Sequence, residues 1–345
     1  MFVTKYKIVS PSVIENFVDT LDIDSHKVIV KVDTLAICKA DIRYFLGKRS
    51  QSVLNRKYPL APIHEAVGVV IKDPTKTFKK GDKVILVPNS VDYNHCKICP
   101  NKRCHDYELG ENYCPHATFR SSNEDGFLVD FIALSPSQLV KYSDSVEPEY
   151  AVFSELLSVA FAACRRIDVS KFDNIAIVGD GLMSYMVYLI LVHRYQKRVT
   201  VFGLNNNKLK LFTKAKIARY ETYNEEPFDL LFECVGGSYQ GEAINEMIDL
   251  ATIGANLVLM GVSEEKVAIN TRSILEKGLE IKGVTRSTYQ DFQNVSRLLE
   301  NESFIDSLKP LVISIGKITS VNDIYHYFQL EINNTQILGK NIMKF

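Results

Sequence analysis

The chain has 345 residues, 46% of them hydrophobic and 24% charged, which is the composition of a globular protein and excludes a disordered one. Lys plus Arg and Asp plus Glu balance at 41 each, so no global field recruits nucleic acid or an anionic membrane. A chain this long predicts two domains rather than one core.

In chain order, Met1-Phe2-Val3-Thr4-Lys5 lacks the charged-then-apolar layout of a signal peptide. Residues 1–150 read as mostly β. Strands are expected at 28–32, 66–71, 83–87 and 127–133, separated by turns such as Lys80-Gly81-Asp82 and Pro88-Asn89-Ser90. Short strands at irregular spacing suggest a small barrel with long loops. Residues 151–166 then read as an apolar helix ending in Arg165-Arg166, cations suited to a helix C-terminus. Strands at 174–178, 198–202, 228–234, 256–260 and 279–284 alternate with helices at 182–195, 207–216 and 240–251. That alternation predicts an α/β, doubly wound parallel sheet over 151–288. The tail, 289–345, carries two helical patterns and a short strand and is expected to return to the first domain. The longest near-apolar stretch, Leu182–Val192, is far shorter than a membrane span, and a cytoplasmic protein is expected.

Four of the seven cysteines crowd into 96–114. An odd count without a secretion signal points to metal or free thiols in a reducing compartment. Cys96, Cys99, Cys104 and Cys114 form a lobe, about 92–118, that could close a tetrahedral structural zinc site, with His95, His105 and His116 as substitute ligands. The other reading is a loop of free cysteines. Cys38, His64 and Glu155 offer one thiolate, one imidazole and one carboxylate, which is a catalytic zinc set with an open fourth position. Glu65 is a possible fourth ligand or outer base, and Asp41 a carboxylate placed to orient the histidine. Singly, each has a plainer reading: buried filler for Cys38, a core histidine for His64, a first-turn helix charge for Glu155. Their order ahead of a nucleotide fold reverses that.

The segment Ile175-Ala176-Ile177-Val178-Gly179-Asp180-Gly181-Leu182-Met183-Ser184 runs strand, tight turn, helix start. Its first two glycines let backbone approach a pyrophosphate, and Ser184 replaces the third. The next strand ends Phe202-Gly203-Leu204-Asn205-Asn206-Asn207-Lys208 with no acid to hold a ribose 2′-hydroxyl. Gly203, Asn205 and Lys208 would tolerate or bind a 2′-phosphate, so NADPH is expected over NADH; alternatively these residues only cap the next helix.

Taken in this order, these residues resemble the medium-chain zinc-dependent dehydrogenases over nearly the whole chain. The resemblance implies a GroES-like barrel holding the catalytic zinc and a Rossmann coenzyme domain. Glu155 within Ser154-Glu155-Leu156-Leu157-Ser158-Val159 is similar to the sorbitol-dehydrogenase branch. The cysteine gaps of two, four and nine depart from that family's usual two, two and seven. Phe232-Glu233-Cys234-Val235-Gly236-Gly237, Ala243-Ile244-Asn245, Met260-Gly261-Val262-Ser263-Glu264, Asn270-Thr271-Arg272, Leu275–Leu279, Arg286-Ser287 and Asp41-x-Arg43-Tyr44-x-x-Gly47-x-Arg49 resemble the ribulose-5-phosphate reductases.

That likeness implies reduction of D-ribulose 5-phosphate by NADPH to D-ribitol 5-phosphate, the precursor of CDP-ribitol for teichoic acids or capsules. Further coenzyme contacts would come from Val235, Gly236, Gly261, Val262 and Ser263. Arg43, Lys48, Arg49 and Arg286 supply cations for a sugar phosphate, since the arginine fork binds two phosphate oxygens at once. A solvated basic face is the plainer reading of Lys48 and Arg49 and, less so, of Arg43. In the wider family a hydroxyl two residues after the cysteine ligand relays the proton; here that residue is Ala40, leaving water, Tyr44 or Glu65. The family also implies a homodimer or homotetramer, with coupling to a CDP-ribitol cytidylyltransferase. Alternatives are an NAD-linked xylitol, sorbitol or polyol-phosphate dehydrogenase and, more distantly, a non-enzymatic zinc-lobe binding protein.

Overall fold

The chain opens with a hairpin that no turn pair in the sequence announces. β1 (Phe2–Ser10) and β2 (Val13–Thr20) pair antiparallel, with Ser12 in the left-handed region at φ 63°. The computed structural model describes residues 1–21, 23–91 and 109–345. Next come β3 (Val28–Ala36), α1 (Lys39–Phe45), α2 (Gln51–Lys57), β4 (Glu65–Lys72), β5 (Lys83–Leu86), β6 (Asn89–Ser90), β7 (Thr118–Phe119), β8 (Phe131–Leu134) and β9 (Leu139–Lys141). β3 is rich in β-branched residues and buried along most of its length, as befits a central strand. β4 pairs with β3 antiparallel, and β5 pairs with β4 in the same sense.

After α3 (Pro148–Ala151) and α4 (Ser154–Ile167) the alternation of strand and helix begins. It runs β10 (Ile175–Val178), α5 (Leu182–Leu189), β11 (Val199–Phe202), α6 (Asn206–Leu209), β12 (Lys216–Ala218), β13 (Phe228–Glu233), α7 (Gln240–Leu250), β14 (Ala251–Leu259), α8 (Thr271–Lys277) and β15 (Glu280–Gly283). These strands form one parallel sheet in the order β12-β11-β10-β13-β14-β15, the doubly wound Rossmann arrangement. β10 is fully buried between the helix layers.

The helix expected over 207–216 is cut to four residues. Phe212 turns inward, 1% exposed, with its ring centroid 5.1 Å from those of both Tyr185 and Tyr188. Lys216–Ala218 then pairs with β11 as an edge strand, so a sheet ladder overrides local helix propensity.

The tail supplies α9 (Tyr289–Leu298), α10 (Glu302–Leu308), β16 (Val312–Lys317), α11 (Val321–Asn333) and β17 (Lys340–Lys344). β16 and β17 join the first sheet in the order β16-β17-β3-β4-β5-β9, and β8 also pairs with β3. Phe45 of α1 and Phe328 of α11 meet in that unit's core with ring centroids 4.5 Å apart. The chain divides into two units: Met1–Ser158 with Ser287–Thr335 and Gly339–Phe345, and Val159–Arg286 with Gln336–Leu338. The division falls inside α4, whose first turn carries Glu155 into the first unit, whereas the sequence places a boundary at 150. Among the described residues no helix is long and apolar enough to cross a membrane.

Candidate active site

Strand register assembles the candidate metal-ligand set. Ala36 at the end of β3 pairs with Glu65 at the start of β4, so Cys38 and His64 leave adjoining strand ends side by side. Cys38 is the N-cap of α1, and its backbone N–H donates to Asp41 Oδ2 at 2.9 Å. Asp41 Oδ1 accepts from the Ile63 N–H at 2.9 Å, so one buried carboxylate ties both ligand-bearing turns together. The ligand atoms of Cys38, His64 and Glu65 all lie within 4.8 Å of one another. Glu155, in the first turn of α4, is 7% exposed, and its charge and that of His64 act on each other.

The histidine is oriented by a group that sequence reasoning missed. His64 Nδ1 lies 2.7 Å from Ser121 Oγ and 3.8 Å from Asp41 Oδ1. Asp41, expected to orient the ring directly, mainly braces the backbone, and the serine hydroxyl makes the short contact. This partner fixes one ring nitrogen and leaves the other for a metal.

A second unforeseen partner is Lys340 of β17. β17 pairs with β3 antiparallel, Ile342 opposite Ala36, so the ladder carries residue 340 towards Cys38. Lys340 Nζ donates to both oxygens of Glu65, at 2.6 Å to Oε1, and to the Ile37 carbonyl at 3.0 Å. Both side chains are buried. Burial works to lower the lysine, but Glu65 and Cys38 outweigh it and raise Lys340 to about 12. Glu65 is therefore an ion-paired carboxylate beside the ligand set.

Burial pushes the Glu155 carboxyl up to about 7, with His64 opposing that rise and Glu65 adding to it. For His64 burial alone would lower the imidazole, yet Cys38 and Asp41 hold it well above its ordinary value. One thiol and three buried carboxylates thus act on a single imidazole and a single lysine among the described residues. That surplus of negative donors fits a divalent cation, and sulfur, nitrogen and oxygen together suit zinc.

The other expected residues are placed as follows. Arg43 is half-buried in the last turn of α1, and Lys48 and Arg49 follow it, Lys48 exposed. The Arg49 guanidinium sits over the Tyr44 ring at 5.0 Å. Tyr44 is packed in the core, and its carbonyl accepts from the Tyr58 hydroxyl, so its ring is part of the hydrophobic framework. Arg286 is half-buried at the end of the second unit. Cys96, Cys99 and Cys104, with His95 and His105, lie outside the described residues. Cys114 is buried against Val91 and Ala117.

In the second unit the glycine turn follows β10 directly. Gly179 adopts φ +123°, and its N–H donates to the Phe202 carbonyl at 2.8 Å. A Cβ there would come within 3.0 Å of Val235 and 2.9 Å of Ser184, so only glycine fits. Gly181 caps α5, with open space where a Cβ would stand, and Leu182 begins the helix. Asp180 Oδ2 accepts from the Leu204 and Asn205 N–H groups, each at 2.7 Å. Asn205 takes the capping role: its Oδ1 accepts from Asn207 N (2.9 Å) and Lys208 N (3.3 Å). Its amide nitrogen donates to Gln336 Oε1 at 2.8 Å.

The turns at the ends of β13 and β14 are organised by Glu233, another residue without a sequence-level signal for this role. Its buried carboxylate accepts from Val235 N at 2.6 Å, Gly261 N at 3.1 Å and Gln240 Nε2 at 3.3 Å. Burial raises its pKa despite those bonds, making it a weaker acid. Gly236 packs against Val262, whose carbonyl accepts from Gly237 N at 3.0 Å. A Cβ on Gly261 would lie 2.2 Å from the Val235 carbonyl oxygen, so that position admits glycine alone. Val262 and Ser263 follow on the same turn. Backbone thus lies open at the strand ends, where dinucleotides bind in such sheets.

Residues 24–144 match the family model described as alcohol dehydrogenase GroES-like domain, and residues 195–301 match zinc-binding dehydrogenase. The chain is 36% identical to a ribulose-5-phosphate reductase of Streptococcus pneumoniae over 322 residues, covering 91% of this chain and 89% of that protein. It is 35% identical to ribulose-5-phosphate reductase 1 of Staphylococcus aureus over 349 residues, covering 99% and 98%. Among solved structures, S. aureus TarJ in complex with NADPH superposes with a TM-score of 0.84 at 32% identity, covering 100% of this chain and 99% of that one.

Proposed function

This chain belongs to the zinc-binding alcohol dehydrogenase family, in its ribulose-5-phosphate reductase branch, and we propose that it reduces D-ribulose 5-phosphate to D-ribitol 5-phosphate with NADPH. The observation that carries this reading is the cluster of Cys38, His64 and Glu65 ligand atoms, with the buried Glu155 carboxylate acting on His64, in a chain matching such reductases almost end to end. When bound, zinc would supply Lewis-acid polarisation of the ketone oxygen, and NADPH would supply the hydride.

Cys38, His64 and Glu155 hold the metal, while Lys340 keeps the Glu65 charge balanced beside it. Ser121 and Asp41 fix the ligand turns. Arg43, with Lys48, Arg49 and Arg286 as further cations, recognises the phosphate. The product oxygen needs a proton. Ala40 carries no hydroxyl, Tyr44 lies in the core and Glu65 is bound by Lys340, so water is the donor that remains. The Gly179–Leu182 turn and the Glu233-braced loops at Val235–Gly236 and Gly261–Ser263 hold the dinucleotide.

The family resemblance further supports a cytoplasmic homodimer or homotetramer whose product feeds a CDP-ribitol cytidylyltransferase. It also supports a second, structural zinc at Cys96, Cys99, Cys104 and Cys114. The test of the metal site is substitution: Cys38→Ser and Glu155→Ala should each abolish turnover of D-ribulose 5-phosphate while NADPH still binds. Full activity in either variant would remove zinc-assisted reduction.

A further inference from the structure

We propose that Arg219 is the residue that selects the 2′-phosphorylated coenzyme. The inference deepens the NADPH reading above and rests on it. In the Phe202–Lys208 segment the Asn205 side chain is consumed in capping α6 and in its bond to Gln336. The cation comes instead from the neighbouring strand. β12 pairs with β11 in parallel register, Ala218 opposite Phe202, so the next residues, Arg219 and Gly203, leave the sheet edge side by side.

The Arg219 guanidinium donates through one terminal nitrogen to the Gly203 carbonyl and through the other to Asn206 Oδ1. These two bonds anchor a planar cation at the strand end where NAD-specific sheets carry an acid for the ribose hydroxyls. They use two of its five N–H donors, and the fork geometry is the one that binds phosphate oxygens in pairs.

Two further observations close the NAD alternative at this place. A Cβ on Gly203 would lie 2.8 Å from Asp180 Cβ and 3.0 Å from Leu209 Cδ2, so an acidic side chain has no room there. Asp180, a carboxylate that does reach this end, has an oxygen already accepting two backbone N–H bonds, from Leu204 and Asn205. Its charge ties the loop together. Arg219 therefore serves as the positive group facing a 2′-phosphate, and it had no motif to mark it because its place depends on the β11–β12 register.

The experiment is a set of binding titrations on the full chain, read by nicotinamide fluorescence for NADPH and NADH. Calorimetry with adenosine 2′,5′-bisphosphate and AMP adds probes that carry no nicotinamide and need no turnover. Arg219→Ala should weaken NADPH and the bisphosphate by about 10- to 100-fold, the range expected for losing a charged phosphate contact. NADH and AMP should change less than about twofold, which also reports that the variant is folded, and Arg219→Lys should recover part of the loss. Equal weakening of the phosphorylated and unphosphorylated ligands would show Arg219 to be only a loop brace and overturn the proposal. So would an unchanged preference for NADPH, with the coenzyme reading left intact. A wild type with no preference between the two dinucleotides would overturn the NADPH reading itself and this inference with it.

Discussion

Glu155 and His64 both hold protons tightly in the metal-free site, for different reasons. Burial lifts the Glu155 carboxyl from its ordinary 4.5 to about 7, whereas His64 is raised by Cys38 and Asp41 against the opposing effect of burial. A group raised on folding contributes stability below its unfolded value and loses it as pH climbs through its folded one. The metal-free protein should therefore lose stability as pH rises from about 4.5 through about 7, and His64 extends the loss beyond its ordinary 6.5. Zinc needs both groups deprotonated, so the stabilisation it confers should grow across the same window. Thermal melts with and without zinc from pH 5 to 8 check this, and a zinc-induced shift independent of pH would contradict it. At this scale, the candidate ligands legible in the sequence were Cys38 and His64, distinctive by type, and Glu155, marked by its Ser154–Val159 context. Ser121, Glu233 and Arg219 were not, because serine, glutamate and arginine are common and only their neighbours make them functional.

At the element scale the decisive fact is the β17–β3–β4 register, which brings together two residues 275 positions apart, Lys340 and Glu65. No local pattern could reveal that pair, since its proximity is produced by a terminal strand returning to the first sheet. Removing one partner of a buried pair leaves an uncompensated charge, which costs about 3–5 kcal/mol. Lys340→Met should therefore lower the urea midpoint of the zinc-free protein sharply. Adding Glu65→Gln in the same chain should restore much of the loss, because the stranded charge is then gone. A single variant as stable as the wild type would show the pair to be inert. Helices and strands were read best where burial and local propensity agree, as in β10 and α7. The expected helix at 207–216 failed because inward packing of Phe212 and the β12 ladder outweighed propensity.

For the whole molecule, the change from irregular β patterning to strict strand–helix alternation was enough to foresee a barrel-type sheet and a doubly wound parallel sheet. The strand order β12-β11-β10-β13-β14-β15 is the doubly wound one, with its switch point beside β10. The division inside α4 was hidden, because one continuous helix gives its first turn to the metal site and its remainder to the other unit. The hairpin β1–β2 was hidden too, since its turn carries no glycine or asparagine. The first unit carries the proposed metal ligands and the second the proposed coenzyme turns. The most direct measurement is coenzyme oxidation by the zinc-loaded protein, comparing D-ribulose 5-phosphate with D-ribulose and NADPH with NADH. The account predicts rapid oxidation of NADPH by the phosphorylated ketose, ribitol 5-phosphate as product, and far weaker turnover in the other three combinations. Equal rates with the unphosphorylated ketose, or no turnover of D-ribulose 5-phosphate by protein carrying zinc, would contradict it.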